Sequence, residues 1–436
     1  MGTIRMRVGQ LSNGLTALRE NETLLTLCIM MVVVMIGFGM IAPVLPLYGA
    51  TFGVSSALVG MLVTSFGLAR LFANLPAGRL ADRIGRRPLI VVAPLITMAG
   101  AIFAGLASSF WLLVAARFVQ GAGSAVFATA AMTSLVDIST PATRGRLMTV
   151  FQGSLLLGAS IGPSVGGFTA GIVGLRGVFY IYAVLSFAAS AWAYFRVKET
   201  LATKVVITSS SARNAERTGT DTGQGRTWSI LLNPGFLAVS LVSLSIFFMR
   251  TGSRSTIIPL LGAERLNMSE SSIGLVLTVA AVFNVITLPV AGWGIDRFGR
   301  KPVIIPSLLV SAVSLLLFAI APGAGMFYIA AAVMGIGTGI AGPAPAAYVA
   351  DLAKGENYGA TLGLFRTISD FGFVVGPVLL GWLADRSGFS FSLYVNFVLL
   401  LVAVLVFALV AKETNAPFVK AETPTKTRAT KSASLE

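Results

Sequence analysis

Hydrophobic residues in this chain come in long unbroken runs, and polar residues fall between them. From Leu24 to Leu47, Pro88 to Leu106, Val178 to Tyr194, Val303 to Ile320 and Phe391 to Val410 there is almost no charge. About 20 such residues cross a bilayer as a helix, so the pattern predicts about twelve transmembrane helices. The first run follows a short segment with Arg5, Arg7 and Arg19, as a signal peptide would. It is, however, about twice the length of a signal h-region and no small-residue cleavage site follows, which predicts a retained first helix. Near the midpoint the chain turns to Ser, Thr, Arg and Glu, as in Ser209-Ser210-Ser211 and Thr218-Gly219-Thr220. Such a composition cannot bury enough apolar area to fold alone. The expected organisation is a cytoplasmic N-terminus (1–22), a first six-helix bundle (23–197), a flexible linker (198–230), a second bundle (231–411) and a tail (412–436).

Composition agrees with this picture. The chain is 55% hydrophobic and only 11% charged, whereas soluble domains average about 25% charged residues. A net charge of +15 would suggest a nucleic-acid partner in a soluble protein, but here placement matters more than the sum. With twelve spans, both termini and most Lys and Arg fall on one side, and the opposite side holds Arg176, Arg265 and Arg386. The positive-inside rule then predicts cytoplasmic termini, and no nucleic-acid partner is expected. Cys28 is the single cysteine, so an intramolecular disulfide is excluded.

The two sides of the linker match at a constant separation of 214 residues, as from Gly60 to Gly274. Thr64, Gly78, Asp82, Arg83, Gly85, Arg86 and Pro88 fall on Thr278, Gly292, Asp296, Arg297, Gly299, Arg300 and Pro302. Gly121, Gly123, Asp137, Gly158, Gly162, Pro163 and Gly167 fall on Gly335, Gly337, Asp351, Gly372, Gly376, Pro377 and Gly381. One offset holding from helix 2 into helix 5 indicates a duplication, the arrangement in which secondary transporters place substrate at the repeat interface.

Gly78-Arg79-Leu80-Ala81-Asp82-Arg83-Ile84-Gly85-Arg86-Arg87 joins helices 2 and 3, and Gly292-Trp293-Gly294-Ile295-Asp296-Arg297-Phe298-Gly299-Arg300-Lys301 is its second copy. This pattern resembles the loop signature of the major facilitator superfamily. Here glycine would permit close helix approach, the Asp could pair with an Arg or a helix N-terminus of the other bundle, and the basic cluster would anchor at the lipid surface. Gating is the role expected for Asp82. Arg117-Phe118-Val119-Gln120-Gly121-Ala122-Gly123 is similar to the family's helix-4 motif. Gly158, Gly162, Pro163, Gly166 and Gly167 resemble the helix-5 signature of drug/proton antiporters, although Thr149 stands where that signature begins with Gly. Small residues also let membrane helices pack whatever the cargo. Gly37 to Pro46 looks like the end of helix 1 in twelve-span exporters, without the acid such exporters often carry there. The resemblance implies an all-α polytopic membrane protein, with two pseudo-symmetric six-helix bundles around a central cavity.

Two further matches lose their meaning in context. Gly158-Ala159-Ser160-Ile161-Gly162 fits a hydrolase nucleophile pattern, yet the chain has no histidine and the segment spans the membrane. Gly337-Thr338-Gly339-Ile340-Ala341-Gly342 fits a dinucleotide fingerprint with no strand before it. Neither predicts an enzyme, and no P-loop sequence is present to use ATP directly.

Charges inside helices that break the repeat need a reason other than shared architecture. Arg117, Arg250, Arg254, Arg366 and Asp370 are matched by Ala331, Ile36, Met40, Gln152 and Leu156, and Arg70 by Asn284. Intramembrane charges are costly and by default mark a pathway. Asp370, Arg366 and Arg117 are the expected coupling and ion-pair residues; Arg250, Arg254 and Arg70 are expected to line the substrate cavity. Arg366 lies one turn before Asp370. Desolvation there favours the protonated acid and the arginine favours the carboxylate; a permanent structural pair is the alternative. The functional expectation is proton-coupled export of a small organic or drug-like solute by a monomer in a bacterial inner membrane, without cofactor or metal. Uptake or facilitated transport of a small organic anion, and a non-transporting sensor or assembly factor on the same fold, are the alternatives.

Overall fold

The computed structural model describes residues 22–139, 143–200, 233–352 and 358–414. Nearly all of the expected N-terminus and linker, and all but the first residues of the tail, lie outside the described residues. Eleven helices are long and apolar enough to cross a membrane. One of them, Leu147–Arg196, has 50 residues, about 75 Å at 1.5 Å per residue, more than twice a hydrocarbon core. Its backbone leaves helical geometry at Gly174 (φ 74°, ψ 169°), so it makes two crossings and the total is twelve. The helices are α1 (Glu22–Ala50), α2 (Ser56–Ile84), α3 (Arg86–Gly105), α4 (Phe110–Asp137), and α5 and α6, which together cover Arg144–Arg196 and divide at Gly174. The second half has α7 (Pro234–Leu266), α8 (Glu270–Phe298), α9 (Lys301–Ile320), α10 (Ala324–Leu352), α11 (Tyr358–Ser387) and α12 (Phe389–Val410).

The repeat is visible in the backbone. Among the described residues, those with positive φ are Gly53, Gly85, Gly174, Asn267, Gly299 and Gly388, and they form three pairs at the 214-residue offset. Each pair ends or starts equivalent helices. Gly85 (φ 98°) and Gly299 (φ 96°) turn the chain from α2 into α3 and from α8 into α9, a conformation that a Cβ makes costly.

Each half encloses its own apolar core. In the second half Phe236, Leu308, Phe318, Phe327 and Phe407 belong to one continuous cluster. In the first half one cluster lies around Phe127 and Phe151 and another around Tyr48 and Phe179. Large apolar side chains such as Val184, Phe187, Ile286 and Leu405 are exposed, which suits lipid rather than water as the surrounding solvent. The halves meet chiefly along α2 with α11 and α5 with α8.

Candidate substrate and coupling site

The inter-half seams close the end of the molecule opposite the termini. The backbone of Pro377 lies where a side chain on Gly60 would sit, and that of Ser56 where one on Gly381 would sit. The symmetric seam places Pro163 against Gly274, and Glu270 and Gly274 against Gly167. Small residues let these backbones touch. Thr64 Oγ1 donates to Val374 O at 2.5 Å, and Ser164 Oγ donates to Thr278 Oγ1 at 2.7 Å. Gly158, Gly162 and Gly166 face α1 instead, where Val32, Ile36, Gly39 and Met40 fill the space a side chain would need. The helix-5 motif is therefore divided: three glycines pack within the half, while Pro163 and Gly167 form the seam between halves.

Toward the termini the glycines look into space. A Cβ on Gly153, Gly292 or Gly363 would meet nothing within 4 Å, and one on Gly78 only Thr129 Cγ2 at 4.0 Å. Among the described residues the loop glycines Gly78 and Gly292 thus make no close approach, and the halves part on the termini side.

One feature of the closed end has no symmetry mate. Asp385 of α11 accepts hydrogen bonds from Ser56 N at 2.7 Å and Ala57 N at 2.9 Å, capping α2 from the other half. Its counterpart is Gly171. A cap is worth about 1 kcal/mol, roughly a fivefold change in a two-state population. Asp385→Ala should therefore open this end more often. The readout is maleimide labelling of a cysteine placed at Thr64, since Cys28 is buried; an unchanged rate would show that the cap does not set the equilibrium.

The open side leads into a cavity of about 450 Å³ lined by Arg70, Asn74, Thr129, Arg366, Asp370 and Phe373, among others. Asp370 is twelve residues into the thirty-residue α11, half-buried. Among the described residues it has no ion pair within 4.0 Å. Arg366 and Arg70 are close enough to act on it electrostatically. A second cavity of about 100 Å³ lies between α1, α5, α7 and α8 and holds Arg250 and Arg254 with Phe38, Ser160, Leu277 and Asn284. The structure therefore brings five of the six symmetry-breaking charges into the cleft between the halves.

Arg117 stands apart. It is 3% exposed and donates to Gln120 Oε1 on its own helix. Its guanidinium lies 4.5 Å from the centroid of the Phe66 ring, so its partners are an amide and an aromatic face, with no acid among them.

The segment Met249–Ile257 of α7, which carries both cavity arginines, is wound as a π-helix. Thr256 Oγ1 donates to Thr251 O at 3.0 Å and Ser255 Oγ to Arg250 O at 3.1 Å, both five residues back. Thr251 Oγ1 also donates to Phe373 O at 3.1 Å on α11, and Asn396 Nδ2 to Ser253 Oγ at 2.6 Å on α7. With i→i+5 winding, residues four apart lie just under one turn from each other, so Arg250 and Arg254 share a face. Hydrophobicity could not signal this widening.

On the termini side the two loop motifs build matching cages. Arg86 is fully buried; its Nε is 2.8 Å from Asp137 Oδ2, its Nη2 2.8 Å from Asp82 Oδ1, and its Nη1 donates to Ala81 O. Arg300 Nε is 2.8 Å from Asp351 Oδ2, and its Nη1 donates to Ile295 O at 3.1 Å. The start of α3 is capped by Glu199, which accepts from Arg86 N and Arg87 N, and that of α9 by Glu413, which accepts from Arg300 N and Lys301 N. Arg83 and Arg297 are exposed, and Arg297 stacks on Trp293 at 5.2 Å. The side chain of Asp296 lies outside the described residues. Asp137 and Asp351, which the repeat already pairs, and Glu199 and Glu413, which lie outside the loop motif, complete the cages. The repeated Lys-Glu-Thr at 198–200 and 412–414, at the same offset, is the signal that could have found the two glutamates.

Asp82 pairs here within its own half, and its side chain is 63% exposed. A carboxylate so exposed keeps most of its hydration, so losing its charge costs the fold little. Asp82→Asn should then leave the protein folded and extractable yet slow turnover, because the conformation closed on the termini side has to remake this surface; unimpaired flux in vesicles would leave the loop a purely topological role.

Known proteins agree with this architecture. The family model described as Major Facilitator Superfamily matches residues 27–253 and 244–434. The chain belongs to the Major Facilitator Superfamily. This superfamily chain is 24% identical over 371 residues to Multidrug resistance protein 2 of Bacillus subtilis, covering 84% of this chain and 90% of that protein. It is 24% identical over 367 residues to the quinolone resistance protein NorA of Staphylococcus aureus, with 84% and 90% covered. In fold it is similar to a bacterial homolog of the human lysosomal transporter Spinster in an inward-facing, occupied conformation, with a TM-score of 0.74, 17% identity and 89% and 96% of the two chains covered. The nucleoside transporter NupG follows, with a TM-score of 0.71, 14% identity and 89% and 98% covered. This superfamily member is a multi-pass secondary transporter, not an enzyme, and its partners are the bilayer and a small-molecule substrate.

Proposed function

We propose that the protein exports small organic, drug-like compounds in exchange for protons, as a monomer in a bacterial cell membrane with both termini in the cytoplasm. The observation that carries this reading is Asp370, a carboxylate in the cavity open to the termini side, accompanied by Arg366 and Arg70 and without a close ion pair among the described residues. Rocking of the halves would change which cation it meets and whether water reaches it, and that difference lets a proton gradient do work on a conformational equilibrium. The seams closed at one end and the open cavity at the other supply one of the two states that alternating access needs. The names of the two resistance proteins support drug-like cargo.

The test is transport in vesicles containing the purified protein. A fluorescent quinolone should accumulate against its gradient when a pH gradient is imposed, and the accumulation should collapse with a protonophore. Movement only down the substrate gradient, indifferent to pH, would replace antiport with facilitated transport.

A further inference from the structure

The cleft carries an unbalanced charge. Among the described residues Arg70, Arg250, Arg254 and Arg366 line its two cavities with Asp370 as the single acid, so three positive charges remain after the acid is counted against one of them. Arg70 lies within electrostatic reach of Arg250, Arg366 and Asp370, which makes the two cavities one field.

The smaller cavity is the more one-sided. Among the described residues its lining contains two arginines, the hydroxyls of Ser160 and Ser255, the Asn284 amide and otherwise apolar groups, with no carboxylate. Arg250 is the seventeenth residue of the thirty-three-residue α7 and is exposed to the cleft. Among the described residues its guanidinium makes no hydrogen bond or ion pair, while Arg254 Nη2 makes one long bond of 3.3 Å to Leu277 O. Two cations held mid-membrane with so few partners are costly unless something arrives to satisfy them. The π-helical winding, anchored by the bonds from Asn396 of α12 to Ser253 and from Thr251 to Phe373 of α11, keeps both on one face and aims them into the cavity.

We propose that the cargo is an amphipathic organic anion whose carboxylate, sulfonate or phosphate is held by Arg250 and Arg254. This rests on the transporter reading above. At about 100 Å³ the arginine cavity fits a small acidic group, and the 450 Å³ cavity, with Leu71, Phe247, Phe373 and Val374 on its walls, fits an apolar body. Guanidinium groups suit this role because they keep their charge and fork onto two oxygens. The bound anion supplies the counter-charge the cleft lacks, so binding is driven where charge is neutralised and not only where apolar area is buried.

The test is equilibrium binding to the full-length protein in detergent. The probes are 2-naphthalenesulfonate, the isosteric cation 2-naphthyltrimethylammonium and, in a parallel arm, lysophosphatidylglycerol. The expected result is binding of the sulfonate or the lysolipid in preference to the cation, weakened on the order of tenfold or more by Arg250→Ala and by Arg254→Ala and by less in Arg250→Lys, which keeps the charge but loses the fork. Whichever anionic arm binds assigns the headgroup to a soluble acid or to a lipid. Because Arg250→Lys keeps the charge, its monodisperse, binding-competent behaviour separates a lost contact from a lost fold. Preferential binding of the cation, or anion binding unchanged in both alanine variants, would overturn the proposal. Protein that binds the sulfonate in this way but fails to accumulate any compound from a pH gradient would sink the proton-driven reading and leave this one standing. Pumping of neutral or cationic compounds, unaffected by the arginine variants, would do the reverse.

Discussion

Asp370→Asn should abolish uphill, pH-driven accumulation while preserving substrate binding and exchange down a gradient. Antiport requires one group that alternates between proton and substrate-dependent partners, and the asparagine amide has the same shape but neither binds nor releases a proton. Coupling should be lost because, among the described residues, no second acid lines either cavity. Binding should survive because removal of the single negative charge leaves the arginines more available to an anion. The measurement uses vesicles with the substrate on both sides for exchange and an imposed pH gradient for accumulation. If the variant still concentrates substrate from a pH gradient, the proton is carried elsewhere and Asp370 serves to hold Arg366 and Arg70 in place.

The helices and their duplication were legible because both leave linear traces. Long apolar runs follow from the bilayer, and a 214-residue offset carries the loop motif and the helix-5 glycines from one half to the other. The same offset relates the positive-φ turns at Gly85 and Gly299 and the helix-capping glutamates Glu199 and Glu413, so much of the architecture was written in the chain. Five of the six internal charges without charged mates line the two cavities between the halves. Arg117 did not follow, because burial against Gln120 and Phe66 is a matter of three-dimensional packing that periodicity does not encode. The π-helical turn at Met249–Ile257 was hidden for a similar reason. Its Thr and Ser residues bond five positions back only once α11 and α12 are beside them. The role of Asp385, near the end of α11, depends on α2 of the opposite half coming within 2.7 Å.

The largest loss of stability should come from Arg86. Its side chain and that of Asp137 are 0% and 2% exposed, whereas the equivalent Arg300 and Asp351 are 14% and 29% exposed. Removing one partner of a buried pair strands the other without water, at about 3–5 kcal/mol. Arg86→Met should therefore cause a large drop in the unfolding temperature of the detergent-solubilised protein, and Arg300→Met a clearly smaller one. The contrast matters because both sites hold an Arg–Asp pair at 2.8 Å and the two pairs differ in burial. If desolvation of Asp137 is the cause, the double variant Arg86→Met, Asp137→Leu should recover much of the loss, since a buried pair exchanged for apolar groups of similar volume is often neutral. Failure of the double variant to recover would shift the explanation to the other bonds of Arg86, to Ala81 O and Asp82, and to the cap that Glu199 places on its backbone. Equal losses at Arg86 and Arg300 would mean that the cage works through its geometry and not through burial.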